Sequence, residues 1–172
     1  MSLTADDGSA AALRLPFDGS YDGSATVDDF VAAVRPPRSW GVLLVRKGGF
    51  AVARLVGEGL VEHKIGQRHV QGRAKAGGQS QQRFARRRDN QARAAYEAAA
   101  EHAARILGST RLDALVTGGD QGAVDAVLED ARLAGAAPRR TSLWLAVPDP
   151  KRVVLDQAVL DAQAVEVTVT NA

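Results

Sequence analysis

The chain has 172 residues, 45% of them hydrophobic and 24% charged, with a net charge of +2, the balance of one globular domain with enough apolar material for its own core. It contains no cysteine, which excludes disulfides, thiol catalysis, iron–sulfur clusters and every cysteine-ligated zinc site. No apolar run approaches the roughly 20 residues of a membrane span, and the start Met1-Ser2-Leu3-Thr4-Ala5-Asp6-Asp7 lacks a basic-then-apolar leader, so a cytoplasmic protein is expected. Met1-Ser2-Leu3 reads equally as a cloning remnant, in which case the natural start lies upstream.

In chain order, Leu3 to Leu15 predicts a hairpin with its turn at Asp6-Asp7-Gly8. Pro16 to Ser24 reads as a loop rich in glycine, aspartate and serine. Thr26 with Asp29 has the spacing of a capping box, and Val27, Phe30, Val31 and Val34 give a helical face that Pro36-Pro37 ends. The domain boundary is placed near residue 38, with residues 1–38 as an extension and 39–172 as the main domain. Three strands follow, Trp40–Val45, Phe50–Val56 and Leu60–Gln67, separated by turns at Lys47-Gly48-Gly49 and Gly57-Glu58-Gly59; together they form an antiparallel meander.

Between Arg68 and Gly78 the apolar pattern vanishes, and a basic, glycine-containing loop is expected. Ser80 to Leu107 holds neither proline nor glycine and reads as one long helix ending at Gly108. Its core face is predicted as Phe84, Ala92, Tyr96, Ala99, Ala103 and Ile106. Then come a strand at Leu112–Thr117, a Gly118-Gly119 turn, a helix from Asp120 to Ala134, a strand at Leu143–Val147, a helix from Val153 to Ala162, and a last strand at Val165–Val169. This order implies an α/β fold, a mixed five-stranded sheet covered by helices in a ribonuclease-H-like arrangement, with a small β/α extension at the N-terminus.

The mild net charge is a cancellation. Residues 1–34 carry one arginine against six aspartates, and residues 94–172 carry seven basic groups against eleven acidic ones. Residues 35–93 hold fourteen arginines and lysines against Glu58, Glu62 and Asp89, a net of +11. Within them, Lys64 to Arg93 contains nine basic residues and one acid, Asp89. Arginine outnumbers lysine eighteen to four, and guanidinium forks suit bidentate phosphate contacts. So concentrated a basic segment is a candidate polyanion contact.

At the centre of that segment stands Gly77-Gly78-Gln79-Ser80. Two successive glycines open backbone conformations closed to other residues and let the chain approach a ligand closely. Gln79 would then sit at a tip just before a helix N-terminus, where backbone N–H groups point outward. Such a tip can donate to a developing oxyanion while its amide orders a water. Arg83, Arg86, Arg87 and Arg88 follow it, and Arg68, Arg73 and Lys75 precede it. A neutral amide on a basic stalk suits hydrolysis of something attached to nucleic acid.

The run Gly77-Gly78-Gln79-Ser80-Gln81-Gln82-Arg83-Phe84-Ala85-Arg86-Arg87-Arg88 resembles the GGQ loop and following helix of the eukaryotic and archaeal class I peptide release factors. The preceding three-strand meander and the later strand–Gly-Gly–helix turn fall in the matching order. The likeness covers roughly residues 40–170, the catalytic middle domain, and the chain shows no counterpart of the codon-reading or GTPase-binding domains. The closer resemblance is to the Vms-like release factor family, in its actinobacterial branch.

That resemblance implies peptidyl-tRNA hydrolysis in the peptidyl-transferase centre of the large ribosomal subunit. Gly77 and Gly78 would shape the loop, and Gln79 would place water against the ester, with Gln81 a second candidate for the same role. Arg68, Arg73, Lys75, Arg83, Arg86, Arg87 and Arg88 would hold rRNA or tRNA phosphates. The implied partners are the ribosome, peptidyl-tRNA and rRNA. No cofactor, metal or membrane is implied, and the role is ribosome rescue or quality control without reading a stop codon.

Other readings are weaker or less complete. A non-catalytic RNA-binding module would keep the basic surface alone. A nuclease would need clustered carboxylates to hold two metals, and the strand Trp40–Val45 carries none. The Leu115–Asp120 turn sits where a phosphate could bind a helix N-terminus, but it lacks the lysine and further glycines of such loops and reads as a plain strand-to-helix turn. His63, His69 and His102 show no metal-ligand spacing.

Overall fold

The computed structural model describes residues 1–67 and 93–172. Eight strands are present among them: β1 (Ser2–Thr4), β2 (Ala10–Arg14), β3 (Ser39–Arg46), β4 (Gly49–Val56), β5 (Gly59–Gln67), β6 (Ala114–Gly119), β7 (Arg140–Leu145) and β8 (Glu166–Thr170). The helices are α1 (Val27–Ala33), α2 (residues 93–103, continued by a π-helical turn at Ala104–Gly108), α3 (Gln121–Leu128) and α4 (Arg152–Ala162). The main sheet runs β5-β4-β3-β6-β7, with β3, β4 and β5 antiparallel and β6 and β7 parallel to β3. The mixed five-stranded α/β arrangement expected from the sequence is therefore present.

The central strands β3 and β4 are buried on both faces, which is why they read as near-continuous apolar runs instead of alternating ones. On one face Leu43, Val45, Phe50, Val52 and Leu115 pack against Ala99, Ala103, Ile106 and Leu107 of α2 and its π turn, and against Ala123, Val124 and Val127 of α3. On the other, Trp40, Val42, Leu44, Ala53, Leu55 and Val116 pack against Leu155, Ala158 and Ala162 of α4. The predicted core positions Ala99, Ala103 and Ile106 are buried, Tyr96 is half-buried, and Phe84 and Ala92 lie outside the described residues.

The last strand has a different partner from the main sheet. β8 pairs antiparallel with β2, Leu13 opposite Val167, and β2 pairs with β1, so both ends of the chain meet in a separate three-stranded sheet. Helix α1 also differs from its expected pattern. Its Thr26 cap is present, the hydroxyl accepting from the Asp29 N–H at 3.3 Å, but Phe30 alone is buried while Val27 and Val31 are 50% and 61% exposed. The helix has seven residues and touches the body on a narrow stripe, too narrow for four apolar side chains. The helix expected from Asp120 to Ala134 stops at Leu128 and continues as a 3-10 turn at Ala131–Leu133, where Asp130 accepts from the Arg132 N–H. That local side-chain bond competes with continued helix.

The N-terminal segment is pinned to the domain at two adjacent residues in the left-handed region, Phe17 (φ 58°) and Asp18 (φ 55°). Phe17 packs edge-on against Trp40 with ring centroids 4.8 Å apart. The Asp18 carboxylate accepts from the Ser142 N–H at 2.8 Å and from its hydroxyl, closing the free edge of β7. Asp18→Ala should lower stability by about 1 kcal/mol, because an exposed donor can return to water. Asp18→Asn, which tolerates the same backbone and keeps an acceptor, should recover most of it. Urea unfolding of the three proteins checks this.

Candidate functional site

All eleven residues singled out in the basic segment lie outside the described residues: Gly77, Gly78, Gln79, Gln81, Arg68, Arg73, Lys75, Arg83, Arg86, Arg87 and Arg88. The structure describes the two stems between which that segment runs. Gln67, the last residue of β5, pairs with Gly49 beside Arg46, at the carboxyl end of β3. The first described turns of α2 lie at the same end, with Tyr96 near Asp120, which follows the carboxyl end of β6, and α2 runs back along the sheet from there. The segment thus leaves and re-enters the body at the end of the sheet where the parallel strands finish, the usual side for ligands in open α/β sheets.

Both stems are braced. Gly49 and Gly66 let two chains come together: a Cβ on Gly49 would lie 2.4 Å from the Gly66 carbonyl oxygen, and one on Gly66 would lie 2.2 Å from the Phe50 ring. Phe50 in turn stacks on His102 of α2, centroids 5.5 Å apart with planes 26° apart. Glu62 of β5 accepts from Arg105 at the far end of α2. On the opposite face His63 of β5 meets the Arg152 guanidinium of α4 at 3.0 Å. A site held on a strand and a helix locked to each other in this way keeps its geometry better than one on a free loop.

The Gly118-Gly119 turn answers to packing. A Cβ on Gly118 would sit 2.4 Å from the Leu145 carbonyl oxygen, and one on Gly119 (φ +100°) 2.3 Å from that of Val45. The Asp120 N–H donates to the same Val45 oxygen at 2.7 Å. The two glycines therefore join β3, β6 and β7 at close range, as the reading of a plain strand-to-helix turn requires.

Beside the stems lies a cleft of about 690 Å³ between α2 and α3. Lys47, Arg93, Tyr96 and Glu97 line it from the carboxyl end of the sheet, and Glu129, Asp130 and Arg132 from the end of α3. Asp130 and Arg132 are already engaged with each other, Nε to Oδ1 at 2.9 Å and Nη2 to Oδ2 at 2.7 Å. The Arg132 side chain and N–H hold the Asp130 carboxyl down at about 2. Burial, and then the Asp120 charge, push the Tyr96 hydroxyl upward, so it is a neutral donor at physiological pH. Sequence reasoning did not bring Lys47 and Tyr96 together, having read one as a turn residue and the other as a core anchor; no local pattern signals a cleft built from segments so far apart.

Among the described residues no three histidines, aspartates or glutamates gather as metal ligands, and no helix is long and apolar enough to cross a membrane. No curated protein matches the chain. The model of the Actinobacteria/chloroflexi VLRF1 release factor family matches residues 38–168, which span the whole main sheet and its helices. A release factor acts in translation at the ribosome, and that role carries to the protein with the family. The chain belongs to the VLRF1 release factor family of Actinobacteria and Chloroflexi.

Proposed function

We propose that the protein hydrolyses the ester between peptide and tRNA on the ribosome, in rescue or quality control, without reading a stop codon. The observation that carries this is Gly77-Gly78-Gln79-Ser80 continued by Arg83-Phe84-Ala85-Arg86-Arg87-Arg88, in a chain that belongs to a release factor family. Residues 39–172 form the release domain. Residues 1–38 are an extension whose small sheet is completed by the last strand. The protein works in the cytoplasm on peptidyl-tRNA held by the large subunit.

The chemistry needs little from the protein beyond positioning. Water attacks the ester carbonyl carbon, the bond to the ribose oxygen breaks, and the products are a free peptide carboxyl and a terminal ribose hydroxyl. Gln79 orders the water through its side-chain amide, and its backbone N–H donates to the oxyanion. Gln81 is the second candidate for that amide. Gly77 and Gly78 allow the tip its close approach, and Arg68, Arg73, Lys75, Arg83, Arg86, Arg87 and Arg88 bind rRNA or tRNA phosphates. The braced stems support the reading, because hydrolysis requires the tip to be held where the ester lies.

The test is direct. Purified protein added to stalled ribosomes, or to large subunits carrying peptidyl-tRNA, should free the peptide. If it binds them and frees nothing, the protein is an RNA-binding module and the catalytic reading is wrong. Charge reversal at Arg83 and Arg86 should weaken ribosome binding and flatten its dependence on salt, by a slope of about 0.7–0.9 for each phosphate no longer neutralised. Unchanged binding would place both arginines away from RNA.

A further inference from the structure

We propose that the cleft between α2 and α3 holds one nucleotide unit of an RNA strand, its phosphate toward Lys47 and Arg93 and its base against Tyr96. This rests on the proposed action on RNA at the ribosome, and it adds a second point of binding that uses none of Arg68, Arg73, Lys75, Arg83, Arg86, Arg87 and Arg88. The cleft is open to solvent and encloses about 690 Å³. Its free groups decide what fits. Asp130 and Arg132 satisfy each other and form a wall. Lys47 and Arg93 are exposed and have no carboxylate within ion-pair distance among the described residues. They lie just past the carboxyl end of β3 and in the first described turn of α2.

Tyr96 stands one turn further along α2, packed partly against the core. Its hydroxyl makes no hydrogen bond within the described residues, so the hydroxyl and the part of the ring that lines the cleft are available to a ligand. Glu97 and Glu129, likewise without a cation partner among the described residues, line the rest. Carboxylates there accept from ribose hydroxyls and exocyclic amino groups but repel further phosphates. The site therefore takes one phosphate, one planar base and one sugar, and does not track a long backbone. A peptide would use the charges but leave the aromatic face without a planar partner.

The experiment measures binding of a fluorescein-labelled single-stranded hexanucleotide RNA to the full chain by anisotropy across a salt series. Tyr96→Leu should weaken binding about tenfold by removing the stacking face, while Tyr96→Phe keeps wild-type affinity. Lys47→Ala, at an exposed turn, should weaken it and lower the salt slope by about 0.7. Adenosine monophosphate alone should shift the backbone NMR signals of Lys47, Tyr96 and Glu97. Wild-type affinity and slope in both Lys47→Ala and a folded Tyr96→Leu overturn the proposal. So does a mixed-charge peptide that shifts those signals where the nucleotide does not. If Tyr96→Leu fails to fold, Lys47→Ala and the nucleotide titration still decide. Failure here leaves peptide release by Gln79 standing, and absence of release with intact cleft-dependent RNA binding overturns only the catalytic reading.

Discussion

Gln79→Ala is expected to slow peptide release by about 10²–10³-fold, the usual cost of losing one preorganised group that acts only in the transition state. Binding to ribosomes should be almost unchanged, because on the proposed reading the arginines and not the neutral tip hold the phosphates. Gln79→Pro removes the backbone N–H as well as the amide and should slow release further still. The pair separates two contributions: water ordering by the side chain, and oxyanion donation by the main chain. Gln81→Ala, measured beside them, decides which glutamine holds the role. Release followed as peptide freed from peptidyl-tRNA under single-turnover conditions is the measurement. If Gln79→Ala and Gln79→Pro both release at the wild-type rate while Gln81→Ala is slow, the tip must be reassigned to Gln81. If all three are as fast as wild type, the glutamines do not carry the chemistry.

Trp40→Ala should be the most destabilising single change in the described core, at about 3–5 kcal/mol against a total that for a domain of this kind is about 5–15 kcal/mol. Trp40 is fully buried at the start of β3, where its ring meets Phe17 and its indole N–H donates to the Gly57 carbonyl at 2.8 Å. One side chain therefore ties the N-terminal extension, the β4–β5 turn and the packing of α4 to the central strand. The midpoint of thermal unfolding should fall by roughly 6–20 °C. Trp40→Phe keeps most of the volume and loses the hydrogen bond, so it should cost far less. A Trp40→Ala protein that melts within about 2 °C of wild type would show that the extension and the sheet do not share this anchor.

The two substitutions act at different levels. Trp40 sits at the amino end of β3, while the segment bearing Gln79 joins the body at the carboxyl end of the same strand. The steps of β3 from Trp40 to Arg46, at about 3.3 Å each, separate the two sites by roughly 20 Å. A tryptophan variant that remains folded should accordingly release peptide at near the wild-type rate.

Much of the fold can be read along the chain. The apolar runs Trp40–Val45 and Phe50–Val56, broken by Lys47-Gly48-Gly49, lie in two strands that pair Arg46 with Gly49 around a two-residue turn. Ala99, Ala103 and Ile106 fall on the buried side of α2 because helical spacing is a local property. Gly108 ends that helical stretch where expected. Elements whose boundaries depend on long-range partners shifted instead. The strand expected at Leu112–Thr117 runs over Ala114–Gly119, because its register is set by Trp40 opposite Ala114 and Val45 opposite Gly119. The strand expected at Leu143–Val147 begins at Arg140, whose guanidinium reaches the Thr117 hydroxyl at 3.0 Å and Asp125 at 2.7 Å and lies over the Trp144 ring. Trp144 is a neighbour on the same strand, but Thr117 and Asp125 lie 23 and 15 residues away, and nothing near Arg140 in sequence announces them.

Legible along the chain alone are the order of strands and helices, the mixed sheet, the Gly77-Gly78-Gln79 run within a basic segment and, through that run, the family. These are carried by spacing, turn chemistry and short motifs, which act between neighbours in the chain. The tertiary structure alone decided that β8 closes on β2, that Val27 and Val31 face water, that Gly49 and Gly66 let Phe50 brace both stems, and that Lys47, Tyr96 and Glu129 share one cleft. An open strand edge or an apolar stripe can be satisfied by several distant segments, and the choice among them belongs to the packing of the whole chain, which no local window contains.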